Sequence, residues 1–353
     1  MTATYLDSDI QEILRQTEPE LKALSGHVVL MTGAHGFLGT YFTALFAAFN
    51  RENRKQPIRL IGVDNHITSR RPEDFKTDLP GTRFIEHDVI QPLQVPETVD
   101  YCIHAAGIAS PYYYRKYPLQ TLEVATLGAK NLLLFSRNHP LKGFLYFSSS
   151  EIYGDPDPKH VPTPESYRGN VASIGPRACY DESKRLGETL CMIFHEQDGV
   201  PTKIVRPFNI YGPGMKETDY RVLPNFASRI KSGKPLRIYG TGRQTRTFCY
   251  VTDAITGFIK TLVQGGPGQA YNIGNPKPEV SMLDLAQTIT EALGRPIPID
   301  QVEYPDSYPA DEPQRRCPDI GKATLQLGYA PQVSLKDGLR RFMDWALTHY
   351  RGE

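Results

Sequence analysis

Val28-Val-Leu-Met-Thr-Gly-Ala-His-Gly-Phe-Leu-Gly39 is an apolar run that breaks into a glycine turn and resumes with helical spacing. It reads as a strand buried on both faces, a tight turn, and a helix over 37–49. Gly33, Gly36 and Gly39 give G-x-x-G-x-x-G, with Phe37 and Leu38 inside the pattern. The first glycine permits the turn, the second lets a pyrophosphate approach the backbone, and the third lets helix and strand pack closely. Free N–H groups at the helix start then attract the anion. A glycine triplet alone serves packing as readily as binding, so its context decides.

Further apolar runs fall at 59–63, 83–86, 99–104, 143–147 and 203–205, and helical spacing recurs over 120–137 and 180–196. This alternation predicts an α/β fold: a Rossmann-type, doubly wound parallel sheet with helices on both faces. After Arg206 the pattern breaks into Pro- and Gly-punctuated pieces, predicting a smaller C-terminal α/β lobe. The expected organisation is a helical extension over 1–26 (helical at 9–17 and again at 19–24), then a dinucleotide-binding domain over 27–206. That domain also receives parts of 240–275, and 207–353 forms mainly the substrate lobe.

Composition narrows the function. A net charge of +1 without any block of like charge gives no footprint for nucleic acid or an acidic membrane. The polar, acidic start lacks a basic and then apolar leader, and no stretch approaches the ~18 consecutive apolar residues of a membrane helix. A cytoplasmic protein is expected. Cys102, Cys179, Cys191, Cys249 and Cys317 are scattered and odd in number, which predicts free thiols. No metal-ligand set is expected.

The run at 59–63 ends in Asp64, followed by Asn65. An acid closing the second strand is placed to accept from both adenosine ribose hydroxyls and to repel a 2′-phosphate, which favours NAD. Arg70 and Arg71 follow closely and keep NADP as the alternative. Asp88 and Val89 after the third strand, and Ala105, Ala106 and Gly107 after the fourth, stand where a cofactor would pass.

Tyr180 and Lys184 form Tyr-x-x-x-Lys on a strongly helical stretch, so both side chains share one face. A nearby ammonium and a nicotinamide cation lower the phenol pKa, so tyrosinate can act as a base towards an alcohol. Phe147-Ser-Ser-Ser-Glu-Ile-Tyr-Gly154 supplies hydroxyls at the carboxyl edge of the sheet.

With these motifs the chain resembles the extended short-chain dehydrogenase/reductases, over nearly all of its length after residue 26. Ser150-Glu-Ile-Tyr-Gly-Asp-Pro156 is similar to the UDP-glucuronate decarboxylase branch. So are Ile174-Gly-Pro-Arg-Ala-Cys-Tyr-Asp-Glu182, Arg221 with Asn225-Phe226, Gln244-Thr-Arg246 and Arg316-Cys-Pro-Asp-Ile320. The resemblance implies NAD as cofactor and a nucleotide-sugar as substrate. Tyr180 would take the proton of the sugar 4-hydroxyl as hydride leaves C4, with Ser149 sharing that oxygen and Lys184 holding the nicotinamide ribose. A C6 carboxylate then becomes a β-keto acid, which loses CO₂ readily. Glu151 and Arg316 match acid–base and carboxylate-handling positions. Ser150, Asn209, Arg221, Asn225, Tyr239, Gln244 and Arg246 match positions that hold the sugar nucleotide, arginine suiting the diphosphate through bidentate contacts. Relatives dimerise through two helices per subunit, here those around 120–137 and 180–196.

The resemblance frays around the sugar. Gly107-Ile-Ala-Ser-Pro111, Tyr167-Arg-Gly-Asn170 and Ala172-Ser173 depart from the branch, and Arg115 and Arg168 are added charges. Epimerase and 4,6-dehydratase chemistry are the alternatives. Dehydratases pair Asp with Glu where this chain has Ser150-Glu151, and 4-epimerases carry a small residue at Glu151. From another class, a non-catalytic NAD- or sugar-nucleotide-binding regulator is disfavoured because both Tyr180 and Lys184 are kept.

Overall fold

The computed structural model describes residues 3–69, 79–303 and 313–352, with side chains from residue 6 onward. Arg70 and Arg71 lie outside the described residues. Strand β1 (Val28–Thr32) is buried at every position, which its unbroken apolar run requires. It is flanked by β2 (Arg59–Asp64) and, on the other side, β4 (Tyr101–His104); β3 (Thr82–Glu86) lies beyond β2. β5 (Gly143–Phe147) and β6 (Thr202–Pro207) continue the sheet beyond β4.

The chain then makes four short strands, β7 (Ile210–Tyr211), β8 (Leu236–Tyr239), β9 (Thr245–Arg246) and β10 (Cys249–Tyr250), before β11 (Gln269–Ile273) returns to pair with β6. The finished sheet has seven parallel strands in the order β11-β6-β5-β4-β1-β2-β3. Its order reverses between β1 and β4, the point where such sheets open a crevice for ligands. Of the last strands, β12 (Val280–Ser281), β13 (Ile299–Val302) and β14 (Arg315–Arg316), β14 pairs with β9 and sets Arg316 level with Arg246.

Helix α1 (Ala3–Leu24) is broken at Thr17, whose φ of −126° is non-helical, just ahead of Pro19. It packs on α8 (Val251–Gln264) through a ladder of polar contacts. Glu12 accepts from Thr252, Gln16 from Thr256, and Glu20 from Lys260. Asp9, fully buried, accepts from the hydroxyls of Tyr41 and Tyr250. Burial pushes its carboxyl up to about 6 although both hydroxyls and Arg341 pull the other way.

Helix α2 (Phe37–Glu52) follows the glycine turn as expected. The helix expected over 120–137 runs as α4 (Pro118–Glu123), a π-helical turn (Val124–Gly128) and α5 (Ala129–Ser136), and a separate short helix, α3 (Pro111–Lys116), precedes it. Tertiary bonds account for the π turn: the Val124 carbonyl accepts from His104 (3.0 Å) and the Ala125 carbonyl from Tyr146 (3.1 Å). Helix α6 (Ala178–Asp198) ends at Gly199 in the left-handed conformation. The rest of the chain adds α7 (Val222–Lys231), α9 (Met282–Leu293), α10 (Gly321–Leu327) and α11 (Leu335–His349).

Candidate active site

A groove of about 1360 Å³ runs along the carboxyl ends of β1, β2 and β4. Gly33, Gly36 and Phe37 line it at the start of α2, with Asp64, Asn65, Asp88, Val89, Ala105, Ala106 and Gly107 from the following strand ends. Leu38 and Gly39 do not face it: Leu38 packs against the core, and Gly39 serves close approach. A Cβ on Gly39 would collide with the Gly33 carbonyl and sit 2.7 Å from that of Ala34. Gly33 has a φ of +72°, and a Cβ there would meet Ala106 N at 2.8 Å. The turn can therefore close only with glycine, and it leaves the floor of the groove to backbone. That cradle, with an acid at its adenosine end, fits a dinucleotide.

Both oxygens of Asp64 are engaged. One accepts from His35 N (2.9 Å), the other from His66 N (2.9 Å) and the Ser69 hydroxyl (2.6 Å). These bonds lock the carboxylate at the rim of the groove. Opposite, the segment carrying Arg221 closes over it. Lys216 donates to the carbonyls of Thr68 and Ser69 (2.8 Å each), and Ser110 donates to the carbonyl of Asp219 (2.5 Å). Sequence reasoning missed Lys216, whose partners are backbone carbonyls that no motif signals.

Tyr180 and Lys184 lie on the buried face of α6, as their spacing predicts. Lys184 donates to the Phe147 carbonyl (2.7 Å), and a Cβ on Gly107 would come within 3.2 Å of its Nζ, so the ammonium borders the groove. Burial pushes Lys184 down to about 8, opposed by Glu188. The Tyr180 ring stacks on Tyr114 (centroids 5.5 Å, planes 15° apart). Burial pushes its phenol up to about 12; a bond to Ser149 lowers it and the Glu151 charge raises it further. Within the protein alone desolvation thus outweighs the lowering that the Tyr–Lys pairing suggested. Ser149 also caps the short 3₁₀ turn that carries Ser150 and Glu151, accepting from Glu151 N at 3.2 Å.

Glu151 is gripped from two sides. Arg316 reaches both its oxygens (2.6 and 2.7 Å), and Arg177 donates to Oε2. Burial raises the Glu151 carboxyl, but Arg316, Arg177 and Arg246 outweigh that and hold it below the usual glutamate range.

The remaining expected residues spread along the later segments. Arg221 forms a bidentate pair with Asp219 (2.5 and 2.8 Å) at the groove's edge. Asn209, in the left-handed region at φ 44°, donates to the Thr247 carbonyl (2.8 Å). Asn225 lies one turn into α7, Tyr239 ends β8, and Gln244 and Arg246 flank Thr245 on β9. Arg115 is exposed at the end of α3 and lines neither this groove nor the cavity beside Glu151. Arg168 is exposed too, its carbonyl accepting from Arg185 (2.8 Å). Arg177 and Asp181 sit inside a motif already legible in the sequence, one helical turn apart, yet were not singled out.

A Tyr–Lys pair beside a backbone-floored groove at the reversal of a parallel sheet is the arrangement of the short-chain dehydrogenase/reductase class. The chain belongs to the NAD dependent epimerase/dehydratase family, whose model matches residues 29–274. It is 39% identical over 313 residues to UDP-glucuronic acid decarboxylase 3 of Arabidopsis thaliana, covering 88% of this chain and 86% of that protein. With UDP-glucuronic acid decarboxylase 1 of Xenopus tropicalis it shares 37% identity, over 94% of this chain and 76% of the relative. Among solved structures, UDP-glucuronic acid 4-epimerase from Bacillus cereus, in complex with UDP-glucuronic acid and NAD, superposes with a TM-score of 0.75. That alignment is 26% identical and spans 92% of this chain and 100% of the epimerase.

Proposed function

We propose that the protein oxidises C4 of UDP-glucuronate with NAD and then decarboxylates it, giving the UDP-4-keto-pentose with NADH, or UDP-xylose where that hydride returns to C4 and regenerates NAD. The observation that carries this reading is the Glu151–Arg316 pair beside Tyr180, a carboxylate and a guanidinium poised where a C6 carboxylate would lie. NAD, when bound, supplies the hydride acceptor and a positive ring beside the phenol. Tyr180 takes the 4-hydroxyl proton, Ser149 steadies that oxygen, and Lys184, bordering the groove at Gly107, holds the cofactor ribose and stabilises tyrosinate. The resulting β-keto acid breaks its C5–C6 bond, CO₂ departs, and the electron pair passes into an enolate that is protonated at C5. Glu151 and Arg316 orient the carboxylate and the keto intermediate. Asn209, Arg221, Asn225, Tyr239, Gln244 and Arg246 form the nucleotide end, with residues 27–206 and parts of 240–275 serving the cofactor. Relatives named UDP-glucuronic acid decarboxylase support this reading over epimerisation.

The test is release of labelled CO₂ from UDP-glucuronate, with products identified by NMR. A UDP-pentose or its 4-keto form is expected; a 4-epimer without CO₂ would replace the reading with its alternative. Asp64 makes a second expectation. Its fixed carboxylate repels a 2′-phosphate, so calorimetry finds NADP binding at least ~10-fold weaker than NAD, about 1.4 kcal/mol. Asp64→Asn narrows that gap. Equal affinities in the unaltered protein would refute the assignment.

The same reading includes a cytoplasmic homodimer. No helix among the described residues is long and apolar enough to cross a membrane, and the five cysteines are free thiols. Leu119, Leu122, Leu127 and Leu134 on the α4–α5 run, with Leu186 and Ile193 on α6, are exposed. An apolar surface of this kind supports pairing through these two neighbouring helical segments.

A further inference from the structure

Asp181, beside Tyr180 on α6, is buried as Tyr180 and Lys184 are, and Arg177 stands at the N-cap one turn before Asp181, on the same side as it. Arg177 donates through Nη2 to Glu151 and holds its Nε 3.6 Å from Asp181 Oδ2. Arg316 grips the same Glu151 carboxylate from β14, so two guanidiniums from distant parts of the chain share one largely buried acid. Three buried atoms around this cluster have no hydrogen-bond partner among the described residues: Asp181 Oδ1, Tyr114 Oη and Arg316 Nε. A cavity of about 400 Å³ opens against Glu151, Arg177 and Asp181.

The geometry points to Arg177 as a positioning residue for Glu151, retaining that carboxylate when Arg316 turns to the carboxylate of the incoming sugar, with Asp181 keeping Arg177 aimed. This rests on the proposed reaction. With Arg316 as sole partner, drawing it away would strand a buried, unpaired charge, which is strongly unfavourable. The second guanidinium removes that penalty and leaves Arg316 exchangeable. The unsatisfied Nε of Arg316 agrees with a donor held in reserve. Asp181 faces Arg177 and Glu151 most closely, with Arg316 from β14, Tyr180 on its own helix and Tyr114 from α3 also near; Arg246 acts on Glu151 from β9. Burial and the Glu151 charge push Asp181 up to about 7 against the pull of Arg177 and Arg316, so its hold on Arg177 strengthens as pH rises through neutrality.

The experiment follows turnover of UDP-glucuronate by the full chain with NAD across the neutral pH range, in the unaltered protein and in Arg177→Met, Arg177→Lys and Asp181→Asn. Arg177→Met is expected to lower kcat by about 10²-fold, with KM held within about threefold, and to move the acid limb of the kcat profile up by about one pH unit or more. Arg177→Lys should recover part of both effects. Asp181→Asn should lower kcat less and flatten the profile near pH 7. A folded Arg177→Met with kcat within threefold and an unmoved acid limb overturns the inference. If Arg177→Met does not fold, Asp181→Asn decides: an unchanged profile overturns it. Formation of an epimer without CO₂ by the unaltered protein counts against decarboxylation alone, and the same profiles are then read on epimerisation. No turnover of UDP-glucuronate of either kind overturns both.

Discussion

Tyr180→Phe lowers kcat by about 10²–10⁴-fold while UDP-glucuronate and NAD bind within about threefold of the unaltered protein. The substitution removes one oxygen and little else. The phenyl ring keeps its stacking on Tyr114 and its place in the small apolar cluster with Ile108. What disappears is the phenol oxygen that, as tyrosinate, would receive the 4-hydroxyl proton. Binding contacts assigned to the nucleotide end lie elsewhere, on β8, β9 and α7, so calorimetric affinity for UDP-glucuronate separates the two effects. Turnover close to the unaltered rate would reduce Tyr180 to a packing residue. Ser149→Ala gives a smaller loss, because Tyr180 remains to take the proton.

Arg316→Ala is the second large effect, and it acts on the other half of the reaction. Arg316 makes two short charge-assisted bonds to Glu151, each worth about 1.5–3 kcal/mol. If those bonds serve the sugar carboxylate and keto intermediate during turnover, their loss costs about 10²–10⁴-fold in CO₂ release. NAD affinity is unaffected, since Arg316 does not line the cofactor groove. Removing one partner of a buried pair typically costs about 3–5 kcal/mol of stability, and here Arg177 still holds Glu151 and softens that cost. Thermal unfolding checks that the variant is folded. Unchanged CO₂ release from folded Arg316→Ala would assign Arg316 to structure alone.

The sheet was legible because a parallel strand covered on both faces must be apolar throughout, and β1, β4 and β5 are buried at every position. The Tyr180–Lys184 pair was legible because both residues lie on one helix, so local spacing already brings them together. Glu151 and Arg316 were placed by resemblance, and the structure brings them into contact across 165 residues. No local rule carries such a contact. The π turn in the helix over 120–137 was hidden for the same reason, since His104 and Tyr146 take its carbonyls from other strands. Arg177 escaped notice because an arginine before a helix reads as surface charge until Glu151 arrives beside it. Arg115, read from the sequence as a charge for the sugar or for solvent, is exposed at the end of α3.

Helix α1 imposes a timetable on synthesis. Its Asp9 waits for Tyr250, and its Glu12 for Arg341, which is made 329 residues later. At about 5–20 residues per second this delay is roughly 15–65 s. Until α8 follows, 240 residues after the α1 residues that it bonds, the apolar side of the helix, Ile10, Ile13, Leu21 and Leu24, lacks part of the covering it has in the finished protein. The parallel strands β1 to β5 can assemble on the emerging chain meanwhile, since all are made by residue 147. A segment translated early is thus docked late, and the nascent chain carries a partly uncovered greasy stripe for most of its time on the ribosome. Binding by a holding chaperone, or early capture of the stripe by another nascent chain, would be decided in that interval.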